Sequence, residues 1–426
     1  MCLPSSAFRH HRGFPAFCMD ALFEQPIYVM AKPAGAMCNL RCEYCYYLEE
    51  HKGSRAPRKV GTSALMSDEL LELFVKEYIE MQASSAVLFT WHGGEPLMRP
   101  LSFYKKAIAL QKKYARGKTV DNCIQTNGTL ITEQWAQFFK DNGWLVGVSI
   151  DGPRETHDKF RRSRTGRPSH HQVLKGIDML NRAGAEWNAM AVVNGETAKD
   201  AAGFYRFFKE IGAKYLQFTP VVERWEGKVM PWSVSPEAWG KFCCEVFDEW
   251  VRSDVGEWFV QLFDATLAGW VGATPGVCTM AETCGCATAL ETGGDLYACD
   301  HFVFPEWKLG NIFETPLGVL AHSETQRRFG ESKRTGLTRE CRECEFLFAC
   351  HGECLRNRFA LSSYGEPGHN YLCKGYKQFF HHVTPYMDFM KKCLQKGEAP
   401  AKVMDQKFHV APKPEPRPPA KSQQND

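Results

Sequence analysis

Between residues 26 and 222 the apolar positions follow two rhythms in turn. Short runs rich in β-branched and aromatic residues, at 27–32, 87–91, 122–126, 146–150, 188–193 and 215–219, have the length and composition of buried strands. Between them apolar residues recur at spacings of three and four, as on one face of a helix. The clearest helix spans 67–82. Ser67 is placed to cap it, Asp68 and Glu69 sit in the first turn, where the helix dipole favours acids, and Leu70, Leu71, Phe74, Val75, Tyr78 and Ile79 form one apolar face. A second helix, 199–211, is closed by Gly212. Six strand–helix repeats predict an α/β fold with a parallel sheet and helices outside, because parallel neighbours require crossovers. Periodicity alone leaves both an open sheet and a curved partial barrel available.

After residue 230 the alternation stops. An aromatic helical stretch at 239–250 leads into a Gly- and Cys-rich region, 276–376, too loop-rich to rest on a large apolar core and therefore expected to be held by metal centres. The expected organisation is an extension over 1–24, an α/β unit over 25–235, a helical linker over 236–275, a Cys-rich module over 276–390 and a Pro- and Lys-rich solvated tail over 391–426. The first 18 residues carry Arg9, His10, His11 and Arg12 but no apolar core of secretory length, and Met19 is an alternative start.

Charge changes the picture little. Fifty-two basic against 49 acidic side chains give a net +3, which offers no reason to propose nucleic acid or an anionic membrane as partner. No run approaches the ~18–20 apolar residues of a membrane span. Cysteine is the unusual feature, 18 in 426 residues. The cysteines cluster at close spacings, which together with the missing secretion signal points to metal or cluster ligation in a reducing cytoplasm rather than to disulfides. Cys2, Cys18, Cys123, Cys243, Cys244 and Cys393 fall outside the clusters and read as ordinary small or buried residues.

The first cluster follows the first strand: Cys38-Asn-Leu-Arg-Cys-Glu-Tyr-Cys45, a C-x3-C-x2-C spacing. Three thiolates can hold three irons of a [4Fe–4S] cube and leave the fourth open to a chelating ligand. Zinc would want a fourth ligand, and none sits at a natural spacing, although His51 is nearby. This spacing, with an aromatic before the last cysteine, resembles the signature of the radical S-adenosylmethionine superfamily. That resemblance implies a partial (β/α)6 barrel over 25–235 and S-adenosylmethionine chelated to the open iron. It also implies cofactor contacts from Tyr44, from Gly94 in the Gly93-Gly94-Glu95-Pro96 segment, from Ser149 and Arg161, and from Val222 on the adenine side. Glycines at 93 and 94 would let the backbone approach the cofactor closely.

The later run Cys341-x2-Cys344-x5-Cys350-x3-Cys354, then Cys373, is similar to the SPASM extension of protein-modifying radical enzymes, a loop-rich domain stabilised by two auxiliary [4Fe–4S] clusters. By order, the resemblance assigns Cys278, Cys284, Cys299 and Cys354 to the first auxiliary cluster. Cys341, Cys344, Cys350 and Cys373 go to the second, which makes three clusters in all. Cys286 is a surplus thiol and a rival for Cys284.

Within that group the chain resembles the anaerobic sulfatase-maturating enzymes over roughly residues 25–390. The match runs through Gln125-Thr-Asn-Gly128, Ser149-Ile-Asp-Gly-Pro153, Leu216-Gln-Phe218 and Tyr297-Ala-Cys-Asp-His301. The resemblance implies that a 5′-deoxyadenosyl radical takes hydrogen from the β-carbon of a Cys or Ser in a sulfatase. Asp300 would accept the thiol or hydroxyl proton, and an auxiliary cluster would accept the electron. The aldehyde, or the thioaldehyde after hydrolysis, is Cα-formylglycine. The implied partners are an unfolded sulfatase segment of the type Cys/Ser-x-Pro/Ala-x-Arg and a low-potential donor such as flavodoxin or ferredoxin. Two rivals stand beside this reading. One is a SPASM enzyme forming thioether or carbon–carbon crosslinks; many of those carry an additional N-terminal peptide-binding domain, whereas only about 25 residues precede the first strand here, which favours the sulfatase reading. The other is a zinc-stabilised binding protein without catalysis.

Overall fold

The computed structural model describes residues 27–51, 54–57 and 65–406. The alternative start at Met19, Cys2 and Cys18, and the tail beyond residue 406 lie outside these residues, as does the side chain of His51. The six expected strands are present as β1 (Tyr28–Ala31), β4 (Ala86–Trp91), β5 (Thr119–Thr126), β6 (Leu145–Ser149), β7 (Trp187–Val193) and β8 (Tyr215–Pro220). A hairpin, β2 (Leu48–His51) and β3 (Ser54–Pro57), lies between the first two. The six pair in parallel in the order β1-β4-β5-β6-β7-β8. Consecutive residues of β4, β5, β6 and β7 are buried, as both faces of a covered parallel sheet require.

Helix α1 (Asp68–Met81) is capped as its sequence predicts, with Ser67 Oγ accepting from Leu70 N at 3.0 Å. Its buried residues are the six expected apolar ones. The segment that ends at Gly212 is shorter than expected. A 3₁₀ turn, Thr197–Lys199, comes first, and the α-helix Ala201–Glu210 begins after Asp200, whose carboxylate accepts from Gly203 N at 2.9 Å. Gly212 adopts φ +76° and its N–H bonds to Lys209 O, as a C-terminal glycine should.

The second half departs from expectation in three places. The 236–275 stretch is more than a linker: after the helix Pro236–Ser253 the strand β11 (Phe259–Val260) joins the main sheet beside β8, ahead of the helix Gln261–Trp270. In the Cys-rich region, β12 (Ala287–Leu290) lies parallel to β1 on its other side, and β13 (Asp295–Tyr297) and β14 (Lys308–Asn311) continue antiparallel, so that one ten-stranded sheet crosses both halves. Finally, the helix Cys373–Gln395 runs past residue 390 into the expected tail, and a 3₁₀ segment, Pro400–Asp405, follows it with Val403 buried. Tyr376, Phe379, Phe380, Val383, Met387 and Met390 belong to the same apolar core as the strands. Burial of this face on Pro236–Ser253 stabilises the module, so metal is not its sole support. The sequence hid the added strands β11 and β12 because each is short and takes its place through a partner distant in the chain. Two small hairpins complete the fold, β9 (Arg224–Trp225) with β10 (Lys228–Val229) and β15 (Arg358–Leu361) with β16 (Pro367–Asn370). Among the described residues no helix is long and apolar enough to cross a membrane.

Candidate active site

The carboxyl ends of parallel strands are where α/β folds place their ligands. The loop 38–45 follows β1 at that end. It is tied down by Arg41 N to Arg162 O at 2.8 Å and Glu43 N to Phe160 O at 3.1 Å. Cys38 Sγ accepts from Leu40 N at 3.3 Å and from Asn127 Nδ2 at 3.7 Å. Burial, with Glu95 and then Cys45 beside Cys38 and the other two thiols beside Cys42, pushes the Cys38 and Cys42 thiols up to about 12. A metal that displaces their protons relieves that penalty.

Of the expected cofactor residues, Tyr44 belongs to this loop, Arg161 contacts it, and Gly94 packs against the residues that lead into it. Gly94 N bonds to Gly35 O and Glu95 N to Met37 O, both at 2.7 Å. A Cβ on Gly94 would lie 2.2 Å from Met37 O, so only glycine permits the approach. Glu95, fully buried and accepting from Leu97 N, Thr126 Oγ1 and Asn127 N, has its carboxyl raised to about 7 by burial. Tyr44 donates to Asp151 Oδ2 and accepts from Arg161 Nη1 at 3.0 Å. Ser149 Oγ accepts from Gln125 Nε2 at 2.9 Å. Val222 falls in the main core, whereas its neighbour Val221 packs with Cys42, Tyr44 and Phe160, and Trp232 leans on the same group. The site fits a polar cofactor: Arg161 Nε and Trp232 Nε1 are buried without a hydrogen-bond partner among the described residues.

Asp300 lies on the other side of the β1 end. Lys32, which directly follows β1, places its Nζ 2.7 Å from Asp300 Oδ1 and 2.7 Å from Glu291 Oε1. Tyr46 donates to Asp300 Oδ2 at 2.5 Å and Tyr47 reaches Oδ1 at 3.4 Å. Burial alone would raise the Asp300 carboxyl, but Lys32 holds it well below the carboxylate range, so the group stays ionised. His92, directly after β4, and His301 are each lowered to about 4 by burial and stand neutral at pH 7. His92 Nδ1 is buried without a partner among the described residues. Sequence reasoning reached Asp300 through its place after Cys299, but missed Lys32, Glu291, Tyr46, Tyr47, His92 and Asp151. Tyr46 and Tyr47, beside the cysteine motif, carried the one signal that could have found them.

The remaining clustered cysteines fall into two spatial groups. Cys278, Cys284, Cys286, Cys299 and Cys354 lie close enough to oppose one another's ionisation. Cys341, Cys344, Cys350 and Cys373 line a single pocket with Phe346 and Tyr376. Burial resists ionisation of Cys341, but hydrogen bonds from His369 and Thr338 outweigh it and lower the thiol. Four sulfurs around one pocket suit a closed cluster. Cys286 lies with the first group, where it rivals Cys284. Cys123, Cys243, Cys244 and Cys393 are buried in the apolar interior.

Comparison with known proteins agrees with this geometry. The family model of the radical SAM superfamily matches residues 33–208, and that of SPASM, an iron–sulfur cluster-binding domain, matches 282–345. Fold and site therefore define a radical S-adenosylmethionine enzyme with a SPASM domain. Its relatives narrow the class. A serine-type anaerobic sulfatase-maturating enzyme of Bacteroides thetaiotaomicron is 58% identical over 90% of this chain and 96% of that protein. A cysteine-type enzyme of Clostridium perfringens is 33% identical over 84% of this chain and 97% of its own length. The solved structure of native anSMEcpe with bound AdoMet superposes with a TM-score of 0.78 at 32% identity, covering 86% of this chain and 100% of that one. The chain belongs to the anaerobic sulfatase-maturating enzymes, which sets aside the zinc-stabilised binding protein. The peptide-bound SuiB structure, at 16% identity and a TM-score of 0.54, shares the fold alone.

Proposed function

We propose that the enzyme converts a Ser or Cys side chain of a sulfatase polypeptide to Cα-formylglycine, with Asp300 as the proton acceptor. In this reading Cys38, Cys42 and Cys45 hold the cluster that binds S-adenosylmethionine. Cys278, Cys284, Cys299 and Cys354 hold one auxiliary cluster, and Cys341, Cys344, Cys350 and Cys373 the other. Together these groups would supply a 5′-deoxyadenosyl radical and an acceptor for the electron released on oxidation. Tyr44, Gly94, Ser149 and Arg161 orient the cofactor, with Val222 and its neighbours on the adenine side. The polypeptide enters unfolded, presenting a Cys/Ser-x-Pro/Ala-x-Arg segment, and a flavodoxin- or ferredoxin-class donor reduces the enzyme.

One observation carries the reading: a buried carboxylate, kept ionised by Lys32, stands beside a cysteine of the auxiliary group and touches the tyrosine after the last cysteine of the first motif. An ionised carboxylate can take the proton released as the β-carbon is oxidised. The 58% identity to a serine-type enzyme supports serine as a substrate residue. Mass spectrometry of sulfatase peptides after anaerobic turnover tests this. A Ser peptide should lose about 2 mass units and a Cys peptide about 18. An unchanged mass for both peptides would reject the reading.

A further inference from the structure

We propose that Lys32, clamped by Glu291, is a positioning residue that fixes the Asp300 carboxylate for proton acceptance. The inference deepens the reading of Asp300 given above and rests on it.

The ammonium of Lys32 is held from three directions. Its Nζ lies 2.7 Å from Glu291 Oε1, 2.7 Å from Asp300 Oδ1 and 4.8 Å from the centre of the Tyr47 ring. The side chains of Lys32 and Glu291 are 0% and 2% exposed, so water does not substitute for these partners. The lysine stem is confined as well. A Cβ on Gly93 would come within 3.4 Å of Lys32 Cβ and 2.8 Å of Gly35 O, so the Gly93–Gly94 turn that approaches the cysteine loop also packs on Lys32. Backbone bonds complete the frame, with Lys32 N donating to Leu290 O at 3.0 Å and Glu291 N to Asp295 O at 2.9 Å.

A purely structural ion pair needs one acid and one base. Here one lysine serves two buried carboxylates, leaving the trio at a net charge of −1 inside the protein. Desolvation makes such an arrangement a poor source of stability, so the trio calls for a functional account. Glu291 supplies it: it fixes the lysine independently of Asp300, so the ammonium keeps a partner after Asp300 has gained a proton. In that step the substrate O–H or S–H bond breaks and its proton passes to an Asp300 oxygen. The C=O or C=S bond forms and one electron is released, which an iron–sulfur centre held by the clustered cysteines would accept. Lys32 on Oδ1 and Tyr46 on Oδ2 hold the carboxylate plane throughout. Lys32 touches the acceptor and not the substrate, which makes it a positioning residue.

The test measures coupling, the 5′-deoxyadenosine formed per formylglycine. In the double variant Lys32→Met/Glu291→Gln the local charge stays at −1 but Oδ1 is no longer held. Iron content, the cluster spectra and 5′-deoxyadenosine formation should stay near wild type, KM for the peptide should hold, and the ratio should rise about 10- to 100-fold. Glu291→Gln alone keeps the Lys32–Asp300 contact and removes only the clamp. It should raise the ratio in the same direction, by less, and so provides the test if the double variant fails to fold. An unchanged ratio in a folded double variant, or in Glu291→Gln, overturns the proposal. The wild-type enzyme run alongside separates the two levels: no formylglycine from wild type rejects the underlying reading and this proposal with it, whereas coupled turnover by the variants rejects the proposal alone.

Discussion

The Tyr46 hydroxyl lies 2.5 Å from Asp300 Oδ2. Each residue directly follows a clustered cysteine, Tyr46 after Cys45 and Asp300 after Cys299. One hydrogen bond thus joins the loop of the first cysteine motif to the auxiliary module. The pairing of β12 with β1 makes it possible, because it sets the start of that module against the first strand of the barrel. A peptide reaching Asp300 is therefore also close to the cofactor loop, as hydrogen abstraction and proton removal at one carbon require.

Asp300→Asn keeps the size of the side chain and removes its basicity. The variant should retain its clusters and bind S-adenosylmethionine, while formylglycine formation falls about 10²- to 10⁴-fold. Anaerobic peptide mass spectrometry beside absorption spectra reads both; wild-type turnover would remove Asp300 from the mechanism.

Gly94→Ala should act on the cofactor loop alone. Its Cβ would meet the Met37 backbone at 2.2 Å, and no flexible side chain is there to yield. Auxiliary-cluster signals should persist in electron paramagnetic resonance while the S-adenosylmethionine-responsive signal is lost. Retention of that signal at full intensity would show that the loop can move aside.

Arg161→Met leaves Asp151 and Tyr44 without their buried cation. Stability should drop by about 1–3 kcal/mol, read as a lower urea midpoint, and S-adenosylmethionine should bind more weakly. Unchanged binding in equilibrium dialysis would take Arg161 out of the cofactor site.

His157 gives a pH dependence of stability. Burial, then the nearby Arg161 and His170, lowers it to about 2. Its ring is neutral in the fold, accepting from Asp151 N at Nδ1 and facing Ser169 Oγ at Nε2. The unfolded chain takes the proton first, near pH 6.5, so stability is full above that value and falls as pH drops towards 2. Between pH 7 and 5 this group should cost about 2 kcal/mol. The loss should vanish in His157→Gln when urea midpoints at the two pH values are compared; an equal loss in both proteins would assign it elsewhere.

Much of this site could be read from the chain because its parts are local. The strands of the barrel show as apolar runs, and the spacing 38–42–45 brings three thiols onto one loop whatever the tertiary fold. The residue after Cys299 is fixed by that cysteine. Lys32 and Glu291 were illegible for the opposite reason. They are 259 positions apart, and their meeting depends on β12 pairing with β1, a four-residue strand whose place is decided by tertiary contacts. The helix Cys373–Gln395 was lost to the cysteine spacing that dominates its first residue, although Tyr376, Phe379, Phe380, Val383, Met387 and Met390 form an apolar face along it.

The central claim is that hydrogen leaves the β-carbon of a Ser or Cys in the substrate and that the same carbon becomes an aldehyde. A sulfatase peptide deuterated at that carbon, turned over anaerobically with reductant and S-adenosylmethionine, tests it most directly. The account predicts deuterium in 5′-deoxyadenosine in step with formylglycine in the peptide. Deuterium-free 5′-deoxyadenosine, or labelled 5′-deoxyadenosine with a crosslinked peptide in place of the aldehyde, would contradict it.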